Sequence, residues 1–233
     1  MDDLMVWISL GLVLGISALL VVTGLKKKPG IGIVLAVGII ALVLWWRDQG
    51  LGSLGLRAPE NWWATLGLGL ALGAGIQLLS VVLIEPLSEK LTHRQHDHSV
   101  LAGTKGNWKM LLLWIVTVWV LVAFVEEGVY RGFLMTETAW LLGFGRLALI
   151  ANLFFSSLVF GLSHGYQGRA GILSTGIVGL LLGLIFIRSG FNLWLPVFVH
   201  GFIDTVGITM IAFGWDKTLQ RWVWGGEVEG GGA

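Results

Sequence analysis

The stretch Met110-Leu-Leu-Leu-Trp-Ile-Val-Thr-Val-Trp-Val-Leu-Val-Ala-Phe-Val125, followed at once by Glu126, Glu127 and then Arg131, decides how this chain is read. Sixteen residues without a charge approach the roughly 20 needed to cross a hydrocarbon core of about 30 Å, and no soluble helix needs to be apolar all round. Six further runs of the same kind surround it. The expected spans are residues 4–24, 30–46, 62–84, 109–135, 147–163, 171–188 and 193–213. They are continuously apolar, whereas membrane-barrel strands are about 10 residues long and alternate. The expected fold is therefore an all-α, polytopic transmembrane bundle of about seven spans. Composition agrees: 55% of the 233 residues are hydrophobic and 12% charged, about half the charged share of a soluble domain, with a mean hydropathy of +0.83. Gly69 to Gly73 and Gly179 to Gly183 read as close contacts between helices.

The connections set the expected topology. Placing the N-terminus outside puts Lys26, Lys27, Lys28, Lys90, Arg94, Lys105, Lys109, Arg169, Lys217 and Arg221 on one side, and only Arg47, Arg57, Arg146 and Arg188 on the other. Cytoplasmic connections collect Lys and Arg, so the expectation is an integral protein of the cell membrane, N-terminus outside and C-terminus cytoplasmic. The first span opens Met-Asp-Asp and lacks a basic leader, which fits a retained anchor. Trp45, Trp46, Trp62, Trp63, Trp108, Trp140, Trp194 and Trp215 lie near span ends and read as interfacial anchors. The longest polar connection, about 85–108, holds His93, His96 and His98 and reads as a solvated, charged loop, with a ligand cluster as the alternative. Residues 1–60 are expected to form two helices, 61–224 the helical core and 225–233 a disordered Gly-rich tail. A net charge of +1 gives no sign of a nucleic-acid partner, and the absence of cysteine removes thiolate chemistry.

Charge inside an apolar span has to be explained, because each such residue costs about 2.5–3.5 kcal/mol on insertion scales. Glu127 and Arg131 stand four apart with the acid first, the favourable order for a helical ion pair, and read as a satisfied buried pair. Glu126 is turned about 100° away and is the carboxylate left for chemistry. His164 and His200 are the histidines that fall in spans or at their ends, and Asp204 follows His200 by one turn. Either histidine could simply bridge two helices. Together with Glu126 they make up the general base, imidazoles and further polar group of a water-activating hydrolytic site.

Three patterns now coincide. Glu126-Glu-Gly-Val-Tyr-Arg131 resembles the EExxxR motif, Phe160-Gly-Leu-Ser-His164 the FxxxH motif, and His200-Gly-Phe-Ile-Asp204 the HxxxN/D motif of the CAAX protease and bacteriocin-processing enzyme family (CPBP, or Abi). The resemblance covers about residues 109–213. It implies an intramembrane glutamate-dependent endopeptidase acting on a peptide or lipidated peptide. In that scheme Glu126 activates water with help from His164, His200 and Asp204 stabilise the oxyanion, and Glu127 and Arg131 hold the site together. It also implies no cofactor, although Glu, two His and Asp form a donor set that could ligate zinc. Eukaryotic CAAX endopeptidases carry Asn at the third motif and bacterial-looking members often Asp; Asp204 can donate only when protonated. Two other readings of the intramembrane charges are a proton-coupled transporter and a non-catalytic immunity or scaffold protein. Residue counting raises one conflict. At 1.5 Å per residue, Glu126 lies about 26 Å from Lys109, and His164 about 26 Å from Leu147 on an antiparallel neighbour, which sets them toward opposite faces.

Overall fold

A computed structural model describes residues 3–225, all of them in helices or the turns between. Residues 226–233, the greater part of the stretch expected to be a tail, lie outside the described residues. Among the described residues, seven helices are long and apolar enough to cross a membrane: α1 (Asp3–Leu25), α2 (Pro29–Trp46), α3 (Trp62–Thr92), α4 (Trp108–Leu142), α5 (Arg146–Ser163), α6 (Gly165–Arg188) and α7 (Trp194–Phe213). A short amphipathic helix, α8 (Trp215–Trp224), follows. The chain is thus an integral, multi-pass helical membrane protein, as its hydropathy required.

Local chemistry sets the helix starts and stops. Pro29 occupies the first turn of α2, where its missing N–H costs nothing. Asn61 and Asn107 cap α3 and α4, each side-chain oxygen accepting from a backbone N–H three residues on, at 3.0 and 3.1 Å. Gly214, at φ 71°, makes the left-handed turn between α7 and α8. The expected ends of two spans fell short. The third helix runs past residue 84 to Thr92, because Glu85–Thr92 is helical although no longer apolar. The fourth runs past 135 to Leu142 through the polar turn Thr136-Glu-Thr138.

Small residues bring the helices together. A Cβ on Gly69 would stand 2.5 Å from Phe198 Cβ, and one on Gly73 would stand 2.6 Å from Val199 O, so α3 and α7 pack backbone to backbone. Gly161 faces Ile172 O and Gly176 in the same way across α5 and α6, and Gly179 and Gly183 lie under Phe160 and Leu153. Close contact at Gly69, Gly73, Gly179 and Gly183 is as expected. The first two helices share one core with the motif-bearing ones: Ile16, Leu20, Ala36 and Ile40 pack with Val129, Tyr130, Phe133 and Phe160. Outward, Val34, Leu42, Val120, Phe154 and Leu158 are exposed, as on a lipid-facing surface. Most of the expected tryptophan anchors are exposed too. Trp194 is not: it is half-buried and packs edge-on to Trp62 at 4.9 Å, because α7 begins inside the bundle.

The connections sort into two sets. At one end Gly24 meets Ser163, Leu25 meets Gly165, and Asp97 N donates to Gln167 O. At the other, Arg57 donates to Gly190 O, Leu193 N donates to Gly55 O, and Arg47 pairs with Glu137 at 2.6 Å. This is the alternation that seven antiparallel spans demand.

Candidate active site

The site is built around a helical segment of unusual pitch. Three π-helical turns interrupt the α-helices, at Ser80–Ile84, Val118–Ala123 and Gly128–Met135, and the last two flank Glu126 and Glu127. Wide turns of this kind release backbone carbonyls and re-aim side chains, and they recur at functional sites.

Glu127 and Arg131 form the expected pair, at 2.7 Å, and neither side chain is exposed at all. The pair does more than neutralise itself. Arg131 Nη2 donates to Gly179 O on α6 at 2.9 Å, and its guanidinium lies 4.5 Å over the Phe160 ring of α5. Glu127 Oε1 also accepts from His200 Nδ1 of α7 at 2.7 Å. One buried ion pair on α4 thereby ties α5, α6 and α7 together.

His164 ends α5 as its C-cap. Its Nδ1 lies 2.8 Å from Phe160 O. A carbonyl only accepts, so Nδ1 carries the hydrogen and Nε2 of the neutral ring presents its lone pair. That Nε2 faces Glu126 Oε2 at 3.8 Å. On α7, His200 Nε2 faces Asp204 Oδ2 at 3.6 Å. His164 and His200 both stand near Phe160, with ring centroids 4.6 and 6.1 Å from it.

Glu126 and His164 therefore meet, against the residue count that set them apart. The count failed because it closed α4 at residue 135. Measured from the true α4–α5 turn, Glu126 lies 16 residues before Leu142 and His164 lies 18 after Arg146. Those distances are about 24 and 27 Å along antiparallel neighbours, so the two share one level.

A cavity of about 180 Å³ is lined by His164, His200 and Asp204 with Phe160 and Tyr166. Its other wall comes from residues that the motifs do not include: Gln77, Ser80 and Glu85 of α3, and His96 and His98 of the following connection. Spacing within one helix gives no hint of that wall, which depends on how α3 packs on α7.

The connection itself differs from expectation. His93 is exposed, but His96 and His98 turn inward. Glu89 Oε1 accepts from His96 N at 2.9 Å and Gln167 O from Asp97 N at 3.1 Å, which folds the loop over the bundle. Desolvation, with the neighbouring His96 ring adding to it, pushes the His98 imidazole down to about 3, and burial lowers His96 as well. Both rings are neutral at pH 7. Asp97 beside them accepts bonds from Ser99 that hold its carboxyl below the usual range.

Comparison with known families matches residues 107–206 to Type II CAAX prenyl endopeptidase Rce1-like. No curated protein and no solved structure matches the chain. The matched segment begins at the cap of α4 and contains all three motifs, from Glu126 to Asp204. Through these residues the chain is similar to the Type II CAAX prenyl endopeptidases.

Proposed function

We propose that this protein is an intramembrane endopeptidase that hydrolyses a peptide bond with a water held between Glu126 and His164. The observation that carries the reading is the 3.8 Å separation of Glu126 Oε2 from His164 Nε2. It is too long for a hydrogen bond, and both atoms are acceptors once Nδ1 is committed to Phe160 O. A water has two hydrogens, one for each. So held, its oxygen lone pairs are free to attack a carbonyl carbon, while a proton passes to the Glu126 carboxylate and on to the leaving amine.

The developing oxyanion needs donors fixed in advance. His200 supplies one if Nε2 carries a hydrogen, since Nδ1 already donates to Glu127. Asp204, 3.6 Å from Nε2, then stabilises the imidazolium. This gives an aspartate a use where eukaryotic CAAX endopeptidases have an asparagine: it acts through His200. Glu127 and Arg131 position His200 and close α4 against α5 and α6.

The substrate class is a peptide or a lipidated peptide, reached from the lysine- and arginine-rich side of the membrane, which we take as cytoplasmic. Glu126→Ala and His164→Ala should each lose all cleavage of a peptide library by the purified protein. Cleavage at the parent rate in either variant overturns the proposal.

A further inference from the structure

The far wall of the cavity holds three donors that hydrolysis leaves unused. Glu85 is buried on α3, and His96 and His98 are half-buried on the connection that follows. One ligand atom from each lies within 4.8 Å of the others. We propose that Glu85, His96 and His98 bind one divalent transition-metal ion of the zinc class, which clamps the connection 93–104 onto α3 along the cavity wall.

Donor type selects the metal. Two imidazoles and one carboxylate suit zinc and its neighbours, whereas magnesium and calcium take oxygen almost throughout. Three protein ligands with a fourth position open is also a recurring zinc arrangement. Spacing permits it. Donors no more than 4.8 Å apart can share a centre within about 2.8 Å of each, and formed sites need about 2.0–2.2 Å. Closure asks for less than about 1 Å of movement per ligand and for the two stacked rings, 15° from parallel with centroids 4.3 Å apart, to splay.

Supporting contacts are already in place around the three. Ser80 Oγ donates to Glu85 Oε1 at 3.3 Å, leaving Oε2 to face His98 Nε2 at 3.9 Å. His96 has Gln167 Oε1 3.2 Å from Nε2 and Ser174 Oγ 3.4 Å from Nδ1, so whichever nitrogen ligates, the other keeps a partner. Partners of this kind orient metal-bound histidines. Neutral imidazole is also the form that ligates. The site is separate from Glu126, which leaves the two proposals independent.

The test uses full-length protein in detergent, carrying no histidine tag and stripped with chelator. Co(II) is added and its visible absorption followed, with Zn(II) as competitor. The parent should take up one equivalent, displaced by Zn(II). His98→Ala and the shape-preserving Glu85→Gln should weaken uptake by about 100-fold or more, beyond the 10- to 100-fold cost of losing an outer partner. Glu126→Gln and His164→Ala should bind as the parent does. The proposal is overturned if the parent takes up no ion, if Glu85→Gln and His98→Ala bind unchanged, or if Glu126→Gln abolishes binding, since that would put the ion on the hydrolytic residues.

Discussion

At the scale of single residues, two adjacent glutamates take separate parts. The helical period was enough to divide them: Glu127 faces Arg131 and Glu126 does not. What the period could not give is that Arg131 also reaches Gly179 O and Phe160, or that Glu127 also takes His200, because these partners are 29 to 73 residues away in the chain. The same bonds set the cost of losing the arginine. Arg131→Met leaves Glu127 charged in an apolar interior with only His200 beside it, and removing one partner of a buried pair costs about 3–5 kcal/mol. Denaturation of the detergent-solubilised variant should show a loss of that order. A loss under about 1 kcal/mol would mean that the pair is not what joins α4 to its neighbours.

The element scale shows which span boundaries hydropathy can find. Four of the seven spans are read to within a residue at each end and a fifth, α6, begins six residues before its expected start, because membrane helices announce themselves by apolar length. The ends of α3 and α4 were missed because Glu85–Thr92 and Thr136–Leu142 keep the helix while dropping the apolarity. That error displaced His164 from Glu126, although the motifs carrying both residues were legible. The inward turn of His96 and His98 was illegible for a different reason. Their segment is polar, and its docking depends on single bonds to Glu89 and to Gln167, the latter in the first turn of α6. Packing of α5 on α6 offers a test at this scale. A methyl on Gly161 would stand 2.6 Å from Ile172 O and 3.0 Å from Gly176 Cα, both backbone atoms that cannot swing aside. Gly161→Ala should therefore cost about 1–3 kcal/mol and, three residues from His164, should slow cleavage as well. Gly11, with nothing within 4 Å of an added Cβ, gives the control: Gly11→Ala should leave both unchanged.

For the whole molecule, the motif-bearing segment is not sufficient to enclose the cavity. Residues 107–206 carry the family's signature, yet Gln77, Ser80 and Glu85 from α3 complete the wall, and α8 is fastened to the same place. Gln220 and Trp224 donate to Val81 O and Val82 O, carbonyls of the wide turn at Ser80–Ile84. Topology is testable because the chain has no cysteine of its own. Ser99→Cys and Ser53→Cys lie on opposite sets of connections. A membrane-impermeant maleimide should label Ser53→Cys in intact cells, and Ser99→Cys only after permeabilisation. The reverse pattern would turn the protein over and open its cavity to the outside.

Glu126 remains the centre of the account, and an isosteric change there tests it with least disturbance. Glu126→Gln keeps the shape and burial of the side chain and removes only its capacity to take a proton. Its rate of peptide cleavage, measured beside its unfolding midpoint, should fall by about 10²–10⁴-fold, the contribution of a positioned general base, while the midpoint stays at the parent value. A variant that unfolds with the parent and cleaves within a few-fold of its rate would contradict the role given to Glu126.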